Sequence, residues 1–191
     1  MAKIVKNYNL LLLSENVGRM NVYLTGYMGS GKTTAGRRLA AKIGYEYLDI
    51  DELFESTYRV SVAQFFERYD EGAFRKIEAQ LIGETFALKR RVVSLGGGAA
   101  SYADNMERIN RHGLSVYLRM APESLFVRLK NAKRPRPRIA GLSDEQLKIR
   151  IAEDLRVRVP YYEKARLIVK GENLDVDALA EEIIRLLPAG G

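Results

Sequence analysis

The chain has 191 residues, 47% of them hydrophobic and none of them cysteine. These values suit one domain with a real core and exclude a disordered chain, disulfide staples, a thiolate nucleophile and zinc sites built on sulfur. The net charge of +7 favours anionic partners, either nucleic acid or nucleotides and acidic metabolites.

Residues 1–19 read as an N-terminal extension, in which Asn7, Asn9, Ser14, Asn16 and Gly18 break up the apolar run at 10–13. That run is too short for a signal-peptide core, and no apolar stretch reaches the roughly 20 residues of a membrane helix. Residues 20–191 read as one domain. A β-rich run at 21–25 meets glycines, and a helix is predicted over 32–43, ended by Gly44. A second strand is predicted over 45–50. Ser61 and Gln64 have capping-box spacing at the head of a helix, and a further helix is predicted over 71–89. A buried-strand run at 92–95 stops at three glycines. A strand at 114–118, a helix at 123–131 and a Pro/Arg-rich loop at 133–141 follow. Ser143 and Gln146 cap a helix predicted to stop near Val159, ahead of Pro160. A fifth strand at 167–170 and an amphipathic helix at 176–187 complete the chain. Strands alternating with helices imply a parallel sheet covered on both faces.

Gly26-Tyr27-Met28-Gly29-Ser30-Gly31-Lys32-Thr33 fits G-x-x-x-x-G-K-[ST] in full. Glycines let the backbone curl until its N–H groups point at phosphate oxygens, and the following helix aims its positive end at the same anion. Lys32 is the residue that reaches the β- and γ-phosphates, and the Thr33 hydroxyl the one that coordinates Mg²⁺. Gly29, Ser30, Gly31 and Thr34 belong to the same ATP site. The loop establishes nucleotide binding without separating a kinase from a GTPase, an ATPase or a motor.

Leu48-Asp49-Ile50-Asp51 closes the second strand, where open α/β sheets place their ligand crevice. One carboxylate can assist Mg²⁺ while the other orients a substrate hydroxyl. The plainer reading, that Asp51 caps the next helix, stands beside it. Arg75 and Glu78 are three residues apart and could simply pair on a helix surface; Arg158 could be a partner of a helix terminus. Both arginines could equally hold a carboxylate bidentately. Ser94-Leu95-Gly96-Gly97-Gly98 stands where many P-loop proteins carry a second metal-organising aspartate. Part of that metal role then falls to Asp49, and the glycines offer close backbone approach to a ligand. Five cations crowd residues 130–138, which read as a nucleic-acid patch, a solvated loop or a lid over ATP. The missing base-stacking aromatics and the P-loop in the same chain favour the lid.

The segments GYMGSGKTT, LDID, SVAQFF…EGAFRKIE, VVSLGGGA, RPRIAG and RVPYY, in this order and spacing, resemble the shikimate kinases. The resemblance runs from about Met20 to the end. It implies a three-layer α/β/α fold of the nucleoside-monophosphate-kinase type, with a five-stranded parallel sheet and a mobile lid at about 130–142. It implies ATP, Mg²⁺ and phosphorylation of the 3-hydroxyl of shikimate to shikimate 3-phosphate and ADP, in aromatic amino-acid biosynthesis. By the same resemblance Lys32, Asp51 and Arg136 are catalytic. Arg128 lies against adenine and Arg136 reaches the phosphates. Asp51, Arg75, Gly96, Gly97, Gly98 and Arg158 bind substrate, with Glu78 orienting Arg75 and Tyr162 beside Arg158. Thr33 and Asp49 serve the metal. Glu172 and Asn173 occupy the place where members often carry an arginine or asparagine near adenine. The expected partners are ATP and shikimate, with neither nucleic acid nor membrane, for a cytoplasmic monomer. His112, the single histidine, reads as structural, so catalysis rests on positioning and charge. A kinase for another polyhydroxy acid, such as gluconate, shares the loop but does not require Asp51, Arg75, Gly96–Gly98 and Arg158 together. A nucleotide-dependent nucleic-acid binder fits the charge alone, and no N-K-x-D marks a GTPase.

Overall fold

Strand β1 (Asn21–Thr25) is buried along its whole length, which fits an apolar run at the centre of a sheet. The computed structural model describes residues 20–132 and 139–187. Within them, β1, β2 (Glu46–Asp49), β3 (Arg91–Ser94), β4 (Gly113–Arg119) and β5 (Leu167–Lys170) form one sheet in the order β2-β3-β1-β4-β5. Every neighbouring pair is parallel. The predicted α/β architecture with five parallel strands is therefore what the chain adopts.

Successive strand residues point to opposite faces, and two cores result. Val22, Leu24, Val92, Leu114, Val116 and Leu118 pack under α1 (Lys32–Ile43) and the C-terminal helix, Val176–Leu186. On the other face Tyr23, Val93 and Tyr117 meet residues of the remaining long helices. In chain order the helices between α1 and the C-terminal one are α2 (Ile50–Tyr58), α3 (Val62–Arg68), α4 (Glu71–Thr85), α5 (Asn105–His112), α6 (Pro122–Lys130) and α7 (Asp144–Tyr162), all but α3 contributing to this second core, and the C-terminal helix is α8. Phe54 of α2, Phe65 of α3 and Phe74 of α4 build a third, aromatic cluster, with Phe54 5.1 Å from Phe74 and 5.3 Å from Phe65 between ring centres.

The expected caps form. Gly44 takes φ 69° and ends α1, and both Ser61/Gln64 and Ser143/Gln146 make complete capping boxes. Several boundaries shift by a residue or more, and three of the shifts have a local physical cause. The helix expected to stop before Pro160 continues through it to Tyr162, because proline here removes one bond in the last turn while Leu155, Arg158 and Tyr162 bury one continuous stripe. Helix α4 ends at Thr85 rather than Lys89. There the Thr85 hydroxyl donates to Ile82 O, and Asn21 Nδ2 takes the carbonyls of Thr85 at 2.9 Å and Leu88 at 3.0 Å. The second strand stops at Asp49, and α2 begins at Ile50. His112 is structural, as expected: its ring stacks on Phe86 at 4.2 Å.

Asn21 also accepts the Arg91 amide at 2.9 Å, so one buried side chain ties β1 to the α4–β3 connection. Asn21→Ala is expected to lower stability by about 2–3 kcal/mol by leaving buried backbone groups unpaired. In urea denaturation the midpoint should fall with little change in slope; an unchanged midpoint would rule this tie out.

Candidate active site

Parallel strands end together, so the loops after β1, β2 and β3 share one edge of the sheet. The loop after β1 carries Gly26 at φ 141°, Gly29 at 82° and Gly31 at 94°, backbone that a side chain would strain. Gly31 is also the N-cap of α1, which points the free amides of that helix into the loop. Lys32 is buried, and its Nζ donates to the carbonyls of Gly26 at 2.7 Å and Tyr27 at 3.0 Å. Ser30 is buried beside it, whereas Thr33 and Thr34 are exposed.

Asp49 closes β2 level with Ser94 on β3. Its Oδ2 accepts from Thr33 Oγ1 at 3.3 Å and from the Tyr47 hydroxyl at 2.9 Å. Its Oδ1 accepts the Asp51 amide at 3.0 Å, so the helix cap is Asp49, and the reading of Asp51 as the cap is corrected. Because the strand has ended, the two carboxylates do not share a strand face. Asp51 instead stands in the first turn of α2 and lines a crevice of about 240 Å³ with Lys32, Thr33, Asp49, Gly96 and Gly97.

The reading of Arg75 and Glu78 as a surface pair is also corrected. They are 8% and 0% exposed, and Arg75 Nη1 donates to Glu78 Oε2 at 2.5 Å while Nη2 donates to Glu71 at 2.9 Å. Burial works against the Arg75 cation, but Glu78 and then Glu71 outweigh it and raise its pKa. Burial pushes the Glu78 carboxyl above the usual carboxylate range, with Arg75 opposing. Glu78 Oε1 has no hydrogen-bond partner among the described residues. It lies where a methyl on Gly96 would be, 2.1 Å from it, with Asp51 Oδ1 at 3.5 Å. A methyl on Gly98 would lie 2.2 Å from Arg75 Nη2, and one on Gly97 3.2 Å from the Met28 amide nitrogen. The three glycines thus thread between the acid–arginine cluster and the phosphate loop, where a side chain would not fit.

Arg158, 6% exposed, pairs with Asp154 at 3.3 Å and lies over the ring of Tyr27, 5.6 Å from its centre. Tyr162 beside it donates its hydroxyl to Gly97 O. Arg128 Nη1 donates to Ser30 O at 3.2 Å and Nη2 to Gly171 O at 3.4 Å. It lines a second cavity of about 370 Å³ with Thr34, Arg38 and Asn173. Glu172 turns away to accept the Ala121 amide at 2.8 Å. Arg136 and the middle of the expected lid, residues 133–138, fall outside the described residues. Sequence reasoning passed over Tyr27 and Asp154; the signal available was an acid four residues before Arg158, on the same helix face.

A family model for shikimate kinase matches residues 28–188. The chain belongs to the shikimate kinase family. A shikimate kinase of Parabacteroides distasonis is 39% identical over 170 residues, covering 87% of this chain and 98% of that relative. The crystal structure of shikimate kinase from Bacteroides thetaiotaomicron superposes with a TM-score of 0.83 at 34% identity, over 88% of this chain and 98% of that one. Shikimate kinase from Acinetobacter baumannii, solved in complex with shikimate, gives 0.79 at 32%, over 91% and 96%. A gluconokinase from Sinorhizobium meliloti reaches a TM-score of 0.53 at 17% identity, which shows the shared fold alone.

In the crevice of this shikimate kinase family member, solvent reaches Asp51 from one side while protein surrounds it elsewhere. Burial raises its pKa, the Asp49 charge adds to the rise, and Lys32 and Arg75 oppose it. In the unfolded chain it ionises near the ordinary value of about 3.9. As pH rises through the window between the unfolded and folded values, the unfolded chain gains a charge that the folded chain resists, and stability falls. Asp51→Asn removes that loss. It is expected to raise the unfolding midpoint at pH 7 and to leave it unchanged near pH 3; a lower midpoint at pH 7 would overturn the sign.

Proposed function

We propose that this chain transfers the γ-phosphoryl group of ATP to the 3-hydroxyl of shikimate, giving shikimate 3-phosphate and ADP. The observation that carries this reading is the convergence of Asp51, the Arg75–Glu78 pair and Arg158 on the Gly96–Gly98 turn beside the phosphate loop. A ring acid with several hydroxyls offers a partner for each: a carboxylate for the arginines and hydroxyls for the aspartate and the backbone.

In this reading the loop amides, Lys32 and Thr34 hold the triphosphate, with adenine in the cavity beside Arg128. Mg²⁺ keeps most of its water and phosphate ligands and takes few from protein, which fits the Thr33 hydroxyl and the Asp49 carboxylate standing together at the loop. Among the described residues no cluster of three or more His, Cys, Asp or Glu exists to hold a cation in an all-protein cage. When bound, Mg²⁺ neutralises charge on the β- and γ-phosphates. Arg75 and Arg158 fix the substrate carboxylate, and Asp51 holds the 3-hydroxyl and receives its proton. A bond forms from the 3-oxygen to the γ-phosphorus, and the bond from phosphorus to the ADP oxygen breaks. Lys32, with Arg136 from the lid, meets the charge that spreads over the phosphoryl oxygens. The enzyme acts as a cytoplasmic monomer.

ADP release should require shikimate and Mg²⁺, should not respond to gluconate, and should stop on addition of EDTA. Lys32→Ala should lower turnover by at least about 100-fold. Hydrolysis driven equally by gluconate, or by neither acid, would leave the ATP site and remove the substrate.

A further inference from the structure

Tyr27 occupies the first variable position of the phosphate loop, where its side chain has no phosphate to reach. It is 1% exposed, a large ring turned wholly inward. Its hydroxyl donates to Asp154 Oδ2 at 2.8 Å. The other oxygen of the same carboxylate, Oδ1, faces Arg158 Nη2 at 3.3 Å. The face of the Tyr27 ring lies under that guanidinium. The side chains of Arg158 and Asp154 are 8% and 14% exposed, so water screens the pair little.

These contacts restrict Arg158 on separate sides. Asp154 takes one amino group, the ring supports the planar face, and Tyr162, four residues on along the same helix, is held by its own bond to Gly97 O. A guanidinium has five N–H donors, and Asp154 engages it at one nitrogen, so donors remain for a ligand. The Tyr27 hydroxyl in turn fixes Asp154. Burial, then its bond to Asp154, pushes the phenol above its ordinary pKa, so it stays a donor throughout the neutral range.

We propose that Asp154 and Tyr27 are positioning residues that set the pose of Arg158, so that the phosphate loop itself fixes the arm that holds the substrate carboxylate. This rests on Arg158 being a carboxylate-binding arginine, as proposed above. Neither residue touches substrate; both act through one guanidinium. An unanchored arginine would sample several rotamers, and each carboxylate bound would have to select the productive one.

The test compares shikimate with its methyl ester as acceptors for the full chain, reading ADP release. The unaltered enzyme should prefer the acid, because the ester cannot pair with an arginine as a carboxylate does. Asp154→Asn should cut the acid-to-ester ratio of kcat/KM about tenfold, through KM for shikimate, with KM for ATP within about twofold. Tyr27→Phe keeps the ring, removes only the donor, and should cut the ratio about threefold. The double variant should be no worse than Asp154→Asn alone, because both changes break one link. If Asp154→Asn does not fold, Tyr27→Phe decides by itself. An unchanged ratio in the folded single variants, or a parallel rise in both KM values, would overturn the proposal. If the unaltered enzyme treats acid and ester alike, Arg158 is not the carboxylate arginine and both ideas fall. Absence of any shikimate-dependent ADP release would remove the substrate reading, and this inference with it.

Discussion

The parallel ladder between β1 and β3 places Leu24 beside Ser94, and the Leu95 amide continues it by donating to Leu24 O at 3.0 Å. Two chain segments some seventy residues apart therefore leave the sheet side by side and in step. One becomes the phosphate loop and the other the Gly96–Gly98 turn. The β2–β3 register adds Asp49 level with Ser94. Anything gripped by one of these loops is necessarily presented to the others. The neighbours Val22, Leu24, Val92 and Val93 are fully buried on two covered faces, so a slip in register would carry each side chain into the opposite core and misalign the loops at once.

The second half of the site depends on the aromatic cluster under α4. Phe74 packs against Phe54 and Phe66, and the next residue is Arg75. Phe54 belongs to the same helix as Asp51. One small apolar nucleus thus orients the helices carrying the aspartate and the first arginine. Hydrophobic burial explains why α2, α3 and α4 hold together, but it does not explain why Arg75 and Glu78 lie inside. A buried ion pair contributes little net stability, and well-packed apolar residues of similar size often do as well. The glycines pressed against this pair leave it no room to spare, and the polar ligand proposed at this spot would account for its place inside.

How much of this was readable beforehand depended on the range of the interaction. The phosphate loop, both capping boxes, the five strands and the glycine turn are set by local backbone demands, and the sequence shows them directly. Helix α5 lacks such a signature: its Asp104 makes no side-chain cap. The i,i+3 spacing of Arg75 and Glu78 looks the same on a surface as in a core. Only the packing of α4 against the glycine turn separates the cases. Pro160 misled for a related reason, since the burial of Tyr162 that carries the helix past it comes from contacts distant in sequence. Asp49 took the cap because the chain changes direction one residue earlier than the strand pattern indicated.

The excess positive charge acquires a different meaning once it is located. Some of the surface cations are already answered by acids: Arg37 by Glu52, Arg119 by Glu163, Lys130 by Asp144 and Lys164 by Glu107. A nucleic-acid face needs exposed cations free to replace counterions along a phosphate backbone, and these pairs are poor material for one. Among the described residues the buried cations are Lys32, Arg75 and Arg158, and all three lie where β1 and β3 release their loops. Low-dielectric surroundings make them effective on a small anion that enters the crevice, and ineffective on a polymer that cannot. Charge that would mark a nucleic-acid binder on the surface fits, in this position, the proposed site for two anions held side by side: a triphosphate and a carboxylate.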